Sequence, residues 1–170
     1  MRGIPLRPED VLLFIVDDDD DTRSNLHDIL ELDGYQIAEA SCAQDLFALP
    51  EWERVALILL DRKLPDGSPE DLIPQINERA PQASVIIVTG YSDVTAAVSA
   101  LRLGAADYIL KPINPDALRA SLRRELEHQS SQRQLQSLFE NALDGFVIFD
   151  DGEVMIDANP AACSMLSMAR

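Results

Sequence analysis

The chain is short of basic residues and of long apolar runs, and each shortage excludes a class of protein. Its 14 Lys and Arg stand against 30 Asp and Glu, so the formal net charge is −16. Because nucleic acids and anionic lipids attract basic patches, this charge argues against binding of either by this segment. Apolar stretches such as Val11–Val16 and Val55–Leu60 fall far below the roughly 20 residues of a membrane span. We therefore expect neither nucleic acid nor membrane as a partner of this segment.

Cysteines are also few. Cys42 and Cys163 lie far apart without Cys-x-x-Cys spacing, which argues against a zinc site and fits a reducing compartment. The N-terminus reaches the acidic pair Glu9 and Asp10 before any apolar run, so it lacks the pattern of a secretory signal. These features predict a cytoplasmic location. The 170 residues, 46% of them hydrophobic, suffice for one folded domain and a remainder.

Apolar runs and helical segments alternate along most of the chain. The predicted strands are Val11–Val16, Gln36–Ala40, Val55–Leu60, Val85–Val88 and Tyr108–Leu110. The predicted helices are Thr22–Leu32, one from Ala43, Glu70–Arg79, Val94–Leu103 and one from Pro115. Strands that are apolar throughout are buried on both faces, as in a parallel sheet between two layers of helices. The pattern therefore predicts an α/β fold built from β/α repeats.

Polar residues follow the predicted strands at the ends where such sheets bind ligands. They are Asp17 and Asp18 after the first strand, Asp61 after the third, Thr89 after the fourth and Lys111 after the fifth. Three carboxylates at one sheet edge repel each other, so a cation is expected there, and Mg²⁺ prefers oxygen ligands. With Mg²⁺ and Lys111 to compensate charge, one carboxylate can accept a phosphoryl group as an acyl phosphate. Asp61 is the predicted nucleophile, and Thr89 can donate its hydroxyl to a phosphoryl oxygen.

The same segments resemble the response-regulator receiver family of two-component signalling systems. The similarity rests on Phe14-Ile15-Val16-Asp17-Asp18, Leu59-Leu60-Asp61-Arg62-Lys63-Leu64-Pro65, Val88-Thr89-Gly90 and Tyr108-Ile109-Leu110-Lys111-Pro112. It covers residues 9–127 and implies a flavodoxin-like, doubly wound five-stranded parallel sheet. It also implies phosphorelay signal transduction, in which a sensor histidine kinase or phosphotransfer protein donates the phosphoryl group. Such a receiver catalyses only its own phosphorylation and dephosphorylation, so no other enzyme activity is expected.

The resemblance implies a phosphoacceptor and a set of metal ligands. Asp61 would accept the phosphoryl group. Mg²⁺, or Mn²⁺, would be bound directly by Asp18 and Asp61, through water by Asp17, and by the backbone carbonyl of Lys63. The acidic run Asp17–Asp21 is longer than the family's usual two or three acids, so this assignment depends on the register after the first strand.

The resemblance also implies a way to read the phosphorylated state. Thr89 and Tyr108 would form a switch pair that changes the face made by the fourth and fifth α/β units. The Lys111–Pro112 peptide bond would be cis, which proline makes energetically accessible. Lys63 departs from the family pattern, since it places a charged side chain near the phosphoryl group.

The chain changes character after Lys111. Ala117–Leu138 reads as a long polar helix with a thin apolar stripe, made of Leu118, Leu122, Leu126, Leu135, Leu138 and Phe139. A thin stripe suits a coiled coil, so we expect a homodimer through this helix or through the face of the fourth and fifth α/β units. Residues 128–137 form the predicted helical linker between two domains.

The last residues, 138–170, resemble the beginning of a PAS sensor domain. The similarity lies in Leu138–Ala162 and covers an entry helix, a first hairpin and the start of the next helix. Asp150–Glu153 between two apolar runs predicts the hairpin turn. A PAS domain needs further strands, so we expect a fragment of a longer protein whose receiver signals to a C-terminal PAS and output region.

Two other functions fit parts of the sequence. Asp18–Thr22 also satisfies the Asp-x-Asp-x-Thr pattern of haloacid-dehalogenase-like phosphohydrolases, with Asp18 as nucleophile, although a helix is predicted directly after it. The second alternative is a phosphorylation-independent dimerisation module that uses the Leu118–Leu126 helix.

Overall fold

The structure is a computed structural model that describes residues 7–90, 102 and 104–166. The helix predicted over Val94–Leu103 lies outside the described residues, apart from Arg102. The described chain divides into two compact units between Glu127 and His128. Among the described helices, none is both long enough and apolar enough to cross a membrane.

Strands and helices alternate in the first unit, as the sequence predicts. The strands are β1 (Leu12–Val16), β2 (Gln36–Ala40), β3 (Val55–Asp61), β4 (Ser84–Gly90) and β5 (Asp107–Lys111). The helices are α1 (Asp20–Leu32), α2 (Ala43–Ala48), α3 (Pro69–Arg79) and α4 (Pro115–Asn141), after a short 3-10 helix over Pro8–Asp10. Every predicted element that falls on described residues is therefore present, with small shifts at the ends.

The five strands form one parallel sheet in the order β2-β1-β3-β4-β5. This is the order of flavodoxin-like doubly wound folds, so the predicted fold class is confirmed. All residues of β1 and β3 are buried, because both strands lie inside the sheet and have helices on both faces. The strand order places the carboxyl ends of β1 and β3 side by side, where the sequence predicts the site.

The side chains of the sheet alternate between two apolar cores, one on each face. The first core joins one face of the strands to α2 and α3, for example through Phe14, Ile58 and Ile73. The second core joins the other face to α1 and the start of α4, for example through Leu30 and Leu57. Two cores on opposite faces of the sheet explain why the central strands read as unbroken apolar runs.

The leucine stripe of α4 is not the single coiled-coil seam that its spacing predicts. Leu118, Leu122 and Leu126 are buried in the second core against the sheet. Leu135 and Leu138 are exposed instead, at 68% and 63% of their surface. The coiled-coil interpretation is therefore wrong for the first three leucines, because the sheet of the same unit already covers them.

The second unit contains the end of α4, a short hairpin and a last helix. β6 (Val147–Phe149) pairs antiparallel with β7 (Met155–Ala158), and α5 follows over Pro160–Leu166. The hairpin predicted around Asp150–Glu153 is thus present.

Asn159 is fully buried between β7 and α5. Its Oδ1 accepts hydrogen bonds from the backbone N–H groups of Phe146 and Ala162, at 2.8 and 2.9 Å. Its Nδ2 donates to two backbone carbonyls, those of residues 139 and 144, at 3.0 and 2.9 Å.

We expect Asn159→Ala to destabilise the second unit by about 2–4 kcal/mol, because four backbone groups lose their partner in a buried place. Amide hydrogen exchange should show lost protection at Phe146 and Ala162. Asn141→Ala is the matched control, since Asn141 is exposed and donates within its own helix turn to Ser137. Equal protection in wild type and Asn159→Ala would contradict the role given to this side chain.

Candidate functional site

The carboxyl edge of the sheet brings three of the predicted residues into contact. Val16 of β1 is in register with Leu60 of β3, so the residues that follow, Asp17 and Asp61, reach the edge together. Lys111 ends β5, and its long side chain reaches across this edge. Its Nζ lies 2.7 Å from Asp17 Oδ2 and 2.7 Å from Asp61 Oδ1. One ammonium group therefore bridges two carboxylates.

A third carboxylate completes an acidic cluster. One oxygen each of Asp17, Asp18 and Asp61 lies within 4.8 Å of the other two. Asp17 and Asp61 are buried, whereas Asp18 is exposed. Three carboxylates with one face open to solvent match the oxygen ligands and retained waters that a hard divalent cation requires. The donor set therefore fits Mg²⁺ or Mn²⁺ and does not suit a soft metal.

The acidic run after β1 separates into residues with different surroundings. Asp17 and Asp18 belong to the cluster. Asp19 caps α1, because its Oδ1 accepts the backbone N–H of Thr22 at 2.7 Å, and this hydrogen bond holds the pKa of Asp19 below its usual range. Asp20 lies in the first turn of α1 and pairs with Arg23. The register after β1 thus directs only the first two acids to the cluster. α1 also begins at Asp20, within the acidic run, where the haloacid-dehalogenase alternative requires a flap.

Burial and pairing shift the pKa values of Asp17 and Lys111. Burial raises the pKa of Asp17 above its ordinary value of 3.8, with hydrogen bonds from Lys111 and the Asp19 N–H opposing it and the Asp61 charge adding to it. Burial alone would lower the pKa of Lys111, but hydrogen bonds to Asp17 and Asp61 and their charges outweigh it and raise that pKa above 10.5. Lys111 is thus held as a cation, while the charge on Asp17 is costly without a further cation.

We expect Asp17→Asn to be more stable than wild type at neutral pH without divalent metal. The folded protein binds the Asp17 proton more tightly than the unfolded chain, so this group favours folding below pH 3.8 and loses that contribution as the pH rises through its raised pKa. The difference between variant and wild type should therefore grow from pH 4 to neutral pH, an interval of about three units. Urea unfolding can be followed by Trp52, the single tryptophan, which is buried in the first unit. A variant less stable than wild type at neutral pH would contradict this electrostatic cost.

The loop after Asp61 is anchored at two points. Asp61 Oδ2 accepts the backbone N–H of Lys63 at 2.6 Å, which holds this carboxylate against its own loop. Further along, Asp66 accepts the backbone N–H groups of Ala43 and Gln44 at 2.8 and 2.9 Å, at the start of α2. These bonds hold the pKa of Asp66 below its usual range. The sequence gives no signal for this role of Asp66, because an acid that caps a helix from another loop has no local spacing pattern.

Thr89 and Tyr108 take different environments on β4 and β5. Thr89 is buried at the same sheet edge, opposite Leu110 in register, and its hydroxyl has no hydrogen-bond partner within the described part of the chain. Tyr108 is in register with Ile87, and 38% of its surface is exposed. The Lys111–Pro112 peptide bond is cis, as the resemblance implies. A buried hydroxyl without a partner among residues 7–90 and 104–166 thus lies at the sheet edge, and a partly exposed ring lies on β5.

Comparison with known proteins gives this site a family. A family model described as "Response regulator receiver domain" matches residues 13–123. The chain belongs to the response-regulator receiver family. A second model, of the PAS domain, matches residues 133–169. Receivers are signalling domains that are phosphorylated on an aspartate and generally bind Mg²⁺ in an acidic pocket, and this chain has a cluster of three aspartates. The receiver assignment leaves the haloacid-dehalogenase interpretation without support.

A curated relative matches nearly the whole of this chain and extends beyond it. The chain is 32% identical over 158 residues to the alginate biosynthesis transcriptional regulatory protein AlgB of Pseudomonas aeruginosa, covering 93% of this chain and 34% of AlgB. It therefore spans about a third of the length of that relative.

Among solved structures, a CheY-like receiver domain protein of Methanospirillum hungatei has a TM-score of 0.65 at 33% identity and covers 72% of this chain and 98% of that one. A Burkholderia pseudomallei response regulator, solved with a phosphorylated aspartic acid, a calcium ion and citrate, has a TM-score of 0.61 at 28% identity. That match covers 78% of this chain and 76% of that one. Both matches have the fold described above.

Proposed function

We propose that this receiver accepts a phosphoryl group on Asp61 from the phosphohistidine of a sensor histidine kinase or of a phosphotransfer protein. The observation that carries the proposal is the contact of Lys111 with Asp61 inside the cluster of three carboxylates. Asp61 ends the central strand, and its Oδ2 accepts the Lys63 N–H. Its Oδ1 contacts only the flexible ammonium of Lys111 within the described part of the chain, and this ammonium can move to the phosphoryl group and leave that oxygen to an incoming phosphorus. That oxygen forms the new P–O bond while the P–N bond to histidine breaks, and the electron pair of the broken bond stays on the imidazole.

The cation proposed for this site is Mg²⁺, or Mn²⁺. Asp18 and Asp61 would bind it directly, Asp17 through a water molecule, and the backbone carbonyl of Lys63 would complete the protein ligands. When bound, the ion would neutralise negative charge on the transferred phosphoryl oxygens. The buried Asp17 charge supports this assignment, because a divalent cation offsets its cost.

Lys111 and Thr89 are the proposed groups that contact the phosphoryl oxygens. Because its pKa is raised, Lys111 is a cation at neutral pH. Its ammonium can therefore pair with the free carboxylate before the transfer and with the phosphoryl oxygens after it. Within the described residues the Thr89 hydroxyl at the same edge has no hydrogen-bond partner, and a phosphoryl oxygen would supply one. We therefore assign Asp61, Thr89 and Lys111 to the phosphorylation chemistry, which the domain performs on itself alone.

Phosphorylation would be read through Thr89 and Tyr108. If the Thr89 hydroxyl moves toward the phosphoryl group, it leaves space on the β5 side that the Tyr108 ring can enter. The ring is now exposed, so this inward turn would change the face of the fourth and fifth α/β units. A homodimer formed by that face or by α4 would then respond to phosphorylation. Analytical ultracentrifugation with and without beryllofluoride tests this, and an unchanged monomer in both states would remove it.

The proposed domain organisation is a receiver over residues 9–127, a helical linker over 128–137 and the N-terminal part of a PAS-like domain over 138–170. The receiver would signal to this PAS region and to whatever output the whole protein carries. The curated relative AlgB is named a transcriptional regulatory protein, which favours such a multidomain regulator. Burial of Leu118, Leu122 and Leu126 weighs against the alternative of an inert dimerisation module built on these leucines.

The direct test of this function is phosphorylation by acetyl phosphate. With Mg²⁺, intact-protein mass spectrometry should show the added mass of one phosphoryl group, and excess EDTA should abolish it. Beryllofluoride should also bind only with Mg²⁺ and should change the environment of Tyr108. Absence of both responses would contradict a phosphate-accepting receiver and would favour an inert module.

A further inference from the structure

Arg23 of α1 contacts the backbone of the acidic cluster. Its Nη1 donates a 2.7 Å hydrogen bond to the backbone carbonyl of Asp17. The same guanidinium pairs with Asp20 in its own helix, and its Nε lies 3.4 Å from Glu39 Oε2 on β2. Only 17% of the side chain is exposed. One planar group thus joins the end of β1, the start of α1 and the neighbouring strand.

The carbonyl that Arg23 holds belongs to the peptide between Asp17 and Asp18. Within the described part of the chain, no hydrogen bond to the Asp18 carboxylate is present, and that side chain is exposed. Its place in the cluster therefore depends on the orientation of its own backbone. Asp17 is fixed independently, since its side chain binds Lys111 and accepts the Asp19 N–H at 3.0 Å. The orientation of the Asp17–Asp18 peptide therefore depends on a residue outside the cluster.

Glu39 of β2 also holds the Arg23 side chain, through an ion pair. Its Oε2 forms an ion pair with Arg23, and its Oε1 contacts His27, so it is itself held by two residues of α1. A guanidinium fixed in this way loses little further freedom when it binds a carbonyl. The bond to Asp17 is thus part of a network of side chains that also includes Asp20, Glu39 and His27.

We propose that Arg23 is a positioning residue for the metal site, which it preorganises by fixing the Asp17–Asp18 peptide. The inference rests on the proposed function, since it needs a divalent cation at Asp17, Asp18 and Asp61. Arg23 touches neither the cation nor the phosphoryl group. It acts through the backbone that presents the Asp18 carboxylate.

The sign of the effect distinguishes this role from simple charge. Arg23 carries a positive charge near an acidic site, so charge alone predicts that its removal strengthens cation binding. Loss of a preorganising partner predicts the opposite, and partners of this kind typically alter metal affinity by about 10- to 100-fold. We expect Arg23→Met to raise the Mg²⁺ dissociation constant about 10-fold. Arg23→Lys should fall between wild type and Arg23→Met, because an ammonium keeps the charge but not the planar fork.

Isothermal titration calorimetry of the whole chain measures the Mg²⁺ dissociation constant. Acetyl phosphate labelling over a range of Mg²⁺ concentrations measures how much Mg²⁺ the phosphorylation needs. Arg23→Met should need about 10-fold more Mg²⁺ for half-maximal labelling, while the rate at saturating Mg²⁺ stays close to that of wild type. Arg119→Met is the matched control. Arg119 also forms an ion pair with an acid of the same unit, Asp33, at 2.8 Å, but Asp33 does not belong to the acidic cluster. This variant should leave the Mg²⁺ affinity unchanged.

Unchanged or tighter Mg²⁺ binding in Arg23→Met would overturn the positioning role. If Arg23→Met does not fold, Glu39→Gln takes its place. This variant keeps the arginine but weakens the ion pair that holds it. Unchanged Mg²⁺ binding by Glu39→Gln would also overturn the positioning role. Wild-type protein that binds no Mg²⁺ and takes up no phosphoryl group would overturn the proposed function itself, which separates the two failures.

Discussion

Asp61→Asn protein is expected to take up no phosphoryl group from acetyl phosphate at any Mg²⁺ concentration. The amide has nearly the shape of the carboxylate, but its nitrogen and oxygen cannot form an acyl phosphate. It also removes one of two buried carboxylates that share Lys111, so the variant should fold at least as well as wild type. Intact-protein mass spectrometry during incubation with acetyl phosphate measures the loss.

The matched control for this variant is Asp28→Asn. Asp28 is exposed on α1, outside the acidic cluster, so its amide should leave labelling at the wild-type rate. Labelling of Asp61→Asn at the rate of this control would show that another side chain is the acceptor. Beryllofluoride gives a second reading, since it should no longer stabilise Asp61→Asn against thermal unfolding.

Lys111→Met is expected to lower the labelling rate at saturating Mg²⁺ by about 10²–10³-fold, the usual effect of removing one preorganised group that faces developing charge. Its only ion-pair partners in the described residues are Asp17 and Asp61, both buried, and the methionine leaves them uncompensated. We therefore also expect the metal-free protein to lose about 1–3 kcal/mol, less than for a fully buried pair because Lys111 is partly exposed. Mg²⁺ should restore part of this stability.

The pH dependence of that loss follows from the raised pKa of Lys111. The group contributes stability that is fully present below pH 10.5 and is lost as the pH rises through its higher folded pKa. The difference between wild type and Lys111→Met should thus be constant across neutral pH and shrink only in strong alkali. Arg119→Met again serves as the control for loss of a paired cation. A labelling rate within a few-fold of wild type would contradict the role of Lys111.

The fold was predictable because its signals are local. Runs such as that of β3 are apolar throughout and are bounded by polar residues, which is the pattern of a strand buried on both faces. Once the strands are known, parallel order brings their carboxyl ends together, so Asp17, Asp61 and Lys111 could be predicted to meet. The register within the acidic run was open in the sequence, and the structure separates its members because α1 begins at Asp20.

The features that the sequence did not reveal depend on contacts between distant elements. Arg23 and Asp66 form hydrogen bonds with backbone groups of other elements. A backbone group can belong to almost any residue type, so no sequence pattern marks the partner of such a bond. The leucines of α4 show the opposite error. Their spacing predicts an apolar stripe, yet spacing alone does not distinguish a stripe packed on its own sheet from one that pairs with a second helix.

The central claim is that Asp61 accepts the phosphoryl group, and locating the modification tests it most directly. The chain is incubated with Mg²⁺ and acetyl phosphate, and borohydride then reduces the acyl phosphate to a stable alcohol whose position is read by peptide mass spectrometry. We predict the reduced residue at Asp61, with neighbouring Asp17 and Asp18 unmodified. Modification at Asp18, or at any acid outside the cluster while Asp61 stays intact, would contradict the account.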